Sequence, residues 1–131
     1  MIDVEVEIFN EVYPYLENML PVGGFSNEFN PHPASLPYVY LAEIDNYPDR
    51  RTADSGTKEY SCVLVYEAQV FALSKQECRD IQAALDQGMI GRLGFQKTSS
   101  NQVNNFADET VYRFVTRYRR GVFQDGILYD P

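Results

Sequence analysis

Residues 60–89 read YSCVLVYEAQVFALSKQECRDIQAALDQGM and contain the pattern that decides the fold. Tyr60 to Leu73 is rich in β-branched and aromatic residues in alternation, which predicts one long strand. Ser74-Lys75-Gln76-Glu77 is a capping box placed directly before a run of helical periodicity. The apolar residues then recur at three- and four-residue spacing, so a helix is predicted that ends near Gly91 or Gly94. Its apolar positions are Cys78, Ile81, Leu85 and Met89.

Towards the N-terminus, the pattern predicts one more helix and one more strand. An apolar stripe from about Asp3 to Leu20 predicts an amphipathic helix. Pro14 lies inside it and removes a hydrogen bond, so we expect a kink there or a helix that ends at Tyr13. Residues 21–37 are rich in Gly and Pro, which favours an irregular crossing segment. Tyr38 to Ile44 (YVYLAEI) then predicts a strand.

Towards the C-terminus, two further strands are predicted, Phe95 to Val103 and Thr110 to Val122. The element order is therefore α-β-β-α-β-β. Both helices are amphipathic, so the predicted class is α+β: an antiparallel four-stranded sheet with two helices packed on one face. We expect residues 1–131 to form a single domain, with a long loop at 45–59 and an apolar C-terminal tail at 123–131.

The charge of the chain is acidic overall and unevenly distributed. A net charge of −8 argues against a general nucleic-acid binder, which needs a basic surface. Residues 1–49 contain acids and no Lys or Arg, whereas residues 110–121 contain four arginines and no acid. These patches either neutralise each other within one fold or meet across subunits in a head-to-tail contact.

Six arginines are the candidate interface residues. Alternate arginines on one face of a strand cannot all be buried without partners, so that face meets water, carboxylates or phosphates. An arginine pair in the long loop either is solvated or reaches a neighbouring molecule. The candidates are Arg50, Arg51, Arg113, Arg117, Arg119 and Arg120.

The sequence contains no recognisable catalytic or metal-binding pattern. His32 is the sole histidine and lies between two prolines, away from Cys62 and Cys78, so neither a Cys/His nucleophile nor a metal cluster is indicated. The glycine pairs match no phosphate-binding loop. No secretory signal or membrane span is predicted. We therefore expect a protein that is not an enzyme and needs no cofactor.

Five sequence features together resemble one family, the tail-terminator or tail-completion proteins of tailed phages and prophages. They are M-I-D-V-E-x-E-I-F at residues 1–9, D-N-x-x-x-x-R-T-x-D-S at 45–55, V-Y-E-A-Q-V at 65–70, L-G-F at 93–95 and V-Y-R-F-V-x-R-Y-R at 111–119. The resemblance covers nearly the whole chain and depends on the order and spacing of these features. Pro14 and the C-terminal Tyr-Asp-Pro depart from the family pattern.

The resemblance implies a ring, commonly a hexamer, at the head-proximal end of a virion tail, made in the host cytoplasm. Such a ring ends polymerisation of the major tail protein and presents a docking face to the head-completion or connector protein. Genomic DNA passes through the lumen without sequence-specific contact. Two alternatives stay open: another head–tail junction adaptor, such as a head-closure protein, or a monomeric domain that binds or inhibits a host protein.

Overall fold

The computed structural model of the protein describes residues 5–21, 24–27, 36–48, 61–103 and 110–123. Two α-helices, one π-helical turn and five strands lie in these ranges. In chain order they are α1 (Glu5–Leu16), β1 (Phe25–Ser26), β2 (Tyr38–Pro48), β3 (Ser61–Ala72), α2 (Lys75–Asp86), the π-helical turn (Gln87–Arg92), β4 (Gln96–Val103) and β5 (Tyr112–Phe123).

The strands form one sheet in the order β1-β2-β3-β5-β4. β1 pairs parallel with β2, and every other neighbouring pair is antiparallel. The predicted antiparallel four-stranded sheet is therefore wrong: the sheet is mixed and has five strands, in the element order α-β-β-β-α-β-β. The missed strand is β1. It has two residues inside the Gly- and Pro-rich segment, and two residues are too few to produce a periodic pattern.

The hydrophobic core lies between the two helices and one face of the sheet. On β3, the alternate residues from Cys62 to Val70 point into it, as their period of two predicts. Helix α2 contributes its predicted apolar positions, and helix α1 contributes Ile8, Val12 and Leu16. Both helices thus cover the same sheet face. We call the face that points away from them the outer face.

Helix α2 begins where the capping box predicts. The Ser74 hydroxyl oxygen accepts a 3.1 Å hydrogen bond from the Glu77 backbone N–H. At its C-terminal end the helix widens into the π-helical turn and closes at Gly94, whose φ of +72° lies in the left-handed region. The backbone N–H of Phe95 bonds to the carbonyl of Met89 at 2.9 Å and completes this end. Both sequence signals, the cap and the terminal glycine, are confirmed.

Helix α1 is shorter than predicted and includes Pro14 in its last turn. It neither ends at Tyr13 nor reaches Leu20. Asp3, the predicted start of the helix, lies outside the described residues. Helix α1 contacts the π-helical turn closely at Gly88: a Cβ there would lie 3.2 Å from Cδ2 of Tyr15. The absence of a side chain at Gly88 therefore lets the two helical segments approach.

Candidate partner-binding surface

Strand β5 carries the predicted arginine row and lies between β3 and β4. Because side chains alternate along a strand, Tyr118 faces the helices, whereas Arg113, Arg117 and Arg119 lie on the outer face. Opposite these arginines, β3 places Phe71, Glu67 and Val65 respectively. The arginine row is thus a feature of the sheet surface that the helices leave uncovered.

Two of the three arginines belong to a polar chain that crosses from β5 to β3. Nε of Arg117 lies 3.3 Å from Oε1 of Glu67, whose other carboxylate oxygen accepts a 3.2 Å bond from the Gln69 amide. The Gln69 carbonyl oxygen accepts a 2.9 Å bond from Nε of Arg113. The guanidinium of Arg113 also lies over the ring of Phe71, 5.8 Å from its centroid. The Glu67 carboxylate therefore contacts Arg117 directly and is connected to Arg113 through the Gln69 amide.

Next to this polar network, the phenol of Tyr40 has a raised pKa. Burial first, and then the negative charges of Glu67 and Glu5, raise the pKa of Tyr40 above its ordinary value. Tyr40 therefore stays neutral to a higher pH than an ordinary tyrosine does.

Arg119 differs from the other arginines of the strand. Arg119 is exposed, and its side chain forms no hydrogen bond or ion pair within the described part of the protein. On β5 it lies between Val65 of β3 and Gln96 of the edge strand β4. It is a charged donor group available to another molecule.

Arg120 points to the helix side of the sheet. Its guanidinium donates to the Leu93 backbone carbonyl at the end of the π-helical turn. It therefore stabilises the junction between the helical segment and β4. Arg50 and Arg51, the other two candidates, lie outside the described residues.

A second surface, which the sequence analysis did not single out, lies at the β1 edge of the sheet. We call it the aromatic groove. The rings of Phe9 and Phe25 stack with their centroids 4.0 Å apart, and Tyr13 lies 6.2 Å from Phe25. The groove is lined by Glu5, Val6, Phe9, Phe25, Ser26 and Asn27.

The groove exposes apolar groups to solvent. Val6 is 74% exposed and Tyr13 is 45% exposed, although the same helix buries Ile8, Val12 and Leu16. The sequence contains a signal for this surface in the position of these two residues. Val6 and Tyr13 are seven residues apart, and they fall outside the buried stripe of Ile8, Val12 and Leu16. Apolar residues on two sides of one helix indicate two packing partners.

The described residues include both cysteines of the chain. Cys62 and Cys78 are buried free thiols. Burial, and then the charge of Glu77, raise the pKa of Cys78 to about 11, the reverse of what thiolate chemistry requires. No group of three or more potential metal ligands occurs in the described ranges, and His32 lies outside them. None of the helices described is long and apolar enough to cross a membrane.

The comparisons with known proteins show the fold. No family model matches the sequence, and no curated protein matches it. Among solved structures, the chain is similar to a chain from the virion of a native gene transfer agent (GTA) particle, with a TM-score of 0.58 and 16% sequence identity. The match covers 84% of this chain and 90% of that chain. The two proteins therefore share a fold over most of both chains.

Proposed function

We propose that the protein is a structural component of a virion, and that it acts by assembly rather than by catalysis. The observation that carries this proposal is the fold, shared over most of both chains with a protein that is part of a virion particle. The buried thiols and the high pKa of Cys78 agree with a role that needs no reacting group.

More specifically, we propose the tail terminator: a closed ring, tested first as a hexamer, at the head-proximal end of a phage tail. The ring stops polymerisation of the major tail protein and offers a face to the head-completion or connector protein. The family resemblance of the sequence supports this role. Its net charge of −8 also suits a ring through which DNA passes, since many basic contacts would retain the phosphates.

A ring is built by repeating one head-to-tail contact between subunits, so each subunit needs two different surfaces that are complementary to each other. The ring closes if the rotations between successive subunits sum to a full turn. The chain has two such candidates: the exposed Arg119 beside one edge of the sheet and the aromatic groove at the other edge. An exposed apolar groove marks a surface that binds another molecule, and in a ring that molecule would be the neighbouring subunit.

The test is addition of the purified protein to tail tubes of its own virus, followed by electron microscopy of the tube ends. We expect one ring on one end of each tube and no further growth when major tail protein is supplied. Arg119→Glu should abolish the capped ends. Arg79→Glu is the matched control, because Arg79 is exposed on α2 and forms no contact there.

The alternatives give different results. Rings that bind the connector but leave tube growth unchanged would indicate a head-closure protein. A chain that stays monomeric by light scattering in the presence of tubes, and leaves their ends bare, would contradict the virion proposal and favour a host-binding domain.

A further inference from the structure

We infer that β4 is a docking edge for a second copy of this chain: the β4 strands of two copies pair antiparallel and join their sheets edge to edge. This contact goes beyond the proposed ring, because it joins two identical surfaces about a two-fold axis instead of repeating from subunit to subunit. The inference follows from the open edge of β4, from the side chains along it and from the strands that a second copy offers.

Strand β4 occupies one edge of the described sheet, where its single partner strand is β5. The side chains of Thr98 and Ser100 also bond towards β5, to the Arg117 carbonyl and the Thr116 hydroxyl. The backbone groups of β4 that point away from β5 therefore have no partner strand in the described part of the protein. Such a row of N–H and C=O groups is a template for another strand.

Most of β4 lacks the features that keep an edge from pairing. Proteins protect edge strands with charged side chains, prolines or β-bulges. The charged residue of β4, Lys97, and its register shift, between Lys97 and Ser99, both lie at the N-terminal end of the strand. From Ser99 to Val103 the strand pairs regularly with β5 and contains neither a charge nor a proline. This stretch can therefore accept a further strand.

Within a second copy, β4 is the strand that fits this edge. The opposite edge of the described sheet is β1, whose two residues are too few to form a ladder. Strand β2 extends beyond β1, but Glu43 and Asn46 in that part already have interactions of their own. The Asn46 backbone N–H also donates a 2.9 Å bond to the Asp45 carboxylate. Two β4 strands, by contrast, present matching rows of uncharged polar side chains to each other.

The position of Lys97 favours the antiparallel direction. Parallel β4 strands in register would bring the two Lys97 side chains together, whereas antiparallel pairing centred on Asn101 separates them by more than about 20 Å. Each Lys97 is already engaged in a 2.9 Å ion pair with Asp86 of its own chain. The arginines of the two β5 strands are then three strand spacings apart, about 14 Å, which exceeds the Debye length of about 8 Å at physiological salt. Antiparallel pairing thus keeps the like charges of the two copies apart.

Disulfide crosslinking of one variant, Asn101→Cys, tests the pairing. The two-fold axis brings position 101 of one copy beside position 101 of the other, with Cα atoms about 4.5–5.5 Å apart, and a disulfide forms within about 7 Å. Asn101 is exposed and the native cysteines are buried. Under mild oxidation without tail tubes, we expect disulfide-linked dimers. Arg79→Cys, at an exposed position on α2, is the control and should give only background dimer.

Charge exchange at the same position is the second measurement. Asn101→Lys and Asn101→Glu each place like charges opposite one another in the pair, so each should weaken dimerisation about tenfold or more in sedimentation equilibrium. An equal mixture of the two variants should restore dimers that contain one chain of each. Circular dichroism of both variants should match that of the wild type, because Asn101 is exposed.

The outcomes separate this inference from the proposed function. If wild-type rings cap the tubes but Asn101→Cys gives no more dimer than Arg79→Cys, the β4 edges do not pair, although the tail-terminator role stands. If Asn101→Cys crosslinks but no tube is capped, the pairing stands and the tail-terminator role fails. Charge variants that dimerise like the wild type, or a mixture that restores no dimer, would also overturn the inference.

Discussion

The hydroxyl of Tyr118 donates a 2.6 Å hydrogen bond to Oδ1 of Asp86 and so connects strand β5 to the end of helix α2. The same hydroxyl accepts a 2.7 Å bond from the Gln82 amide, whose carbonyl oxygen accepts from Thr116 at 2.8 Å. Since the Thr116 hydroxyl donates to Gln82, Ser100 must be the donor in its 3.0 Å contact with Thr116. The donor of each hydrogen bond in this network is therefore defined, and the network leads from Ser100 of β4 through β5 to α2.

Tyr118→Phe should reduce the free energy of unfolding by about 1–3 kcal/mol, because it leaves the buried Gln82 amide and an Asp86 oxygen each short of a partner. Urea denaturation measures the change. Tyr13→Phe, at an exposed position, is the control and should stay within about 0.5 kcal/mol of wild type. An equal loss in both variants would show that the Tyr118 hydroxyl stabilises nothing.

The pKa of Cys78 predicts a loss of stability at alkaline pH. The pKa of the thiol rises from 9.0 to about 11 on folding, so the unfolded chain releases the proton first. The contribution is fully present below pH 9 and is lost as the pH rises towards 11. The free energy of unfolding of Cys78→Ala should fall less steeply than that of wild type across this window, with parallel profiles below pH 8. Equal slopes throughout would contradict the prediction.

Two glycines three residues apart should respond differently to substitution. Gly91 has no atom within 4 Å of a Cβ, so Gly91→Ala should stabilise the protein by about 0.5–1 kcal/mol through helical propensity. A side chain at Gly88 would contact Tyr15 and Val12 of α1. Gly88→Val should therefore destabilise by about 1–3 kcal/mol, the usual cost of overpacking. Thermal denaturation of both variants measures the two changes. A Gly88→Val variant more stable than Gly91→Ala would show that α1 can move away freely and would contradict the prediction.

The ion pair on the outer face should be asymmetric. The Glu67 side chain is 15% exposed and accepts from both Arg117 and Gln69, whereas the Arg117 side chain is 53% exposed. Glu67→Ala should cost about 1–3 kcal/mol because the Gln69 amide loses its partner, and Arg117→Ala should cost less than about 1 kcal/mol. Chemical denaturation of both variants in low salt would reveal the difference. Equal losses would mean that only the pair itself contributes.

Much of the fold could be predicted because local chemistry and tertiary packing agree. The alternation in β3 and the capping box at Ser74 each specify an element with no help from distant residues, and both appear in the structure. The predicted apolar positions Cys78, Ile81, Leu85 and Met89 are all buried in the core. The two-residue strand β1 could not be predicted, because it exists only through its pairing with Val39 and Tyr40 of β2.

The candidate surface was predictable only in part. Alternation along β5 correctly separated Arg113, Arg117 and Arg119 from the buried face. The alternation could not show that Glu67 and Gln69 lie on the neighbouring strand β3, where they bond to Arg117 and Arg113 but not to Arg119. These neighbours depend on the order of the strands in the sheet, which alternation along one strand does not determine. The aromatic groove depends on Phe25 meeting Phe9, a contact between segments that the sequence separates by a Gly- and Pro-rich stretch.

Strand β5 is the last described strand in the chain but occupies the fourth position in the sheet, between β3 and β4. During synthesis on the ribosome, β4 is therefore made before β5, the strand that joins it to the rest of the described sheet. A nascent chain that stops short of Tyr112 has a gap where β5 belongs and leaves the adjoining side of β3 without its partner. Completion of the sheet must consequently follow translation of β5, the last of the described strands in chain order.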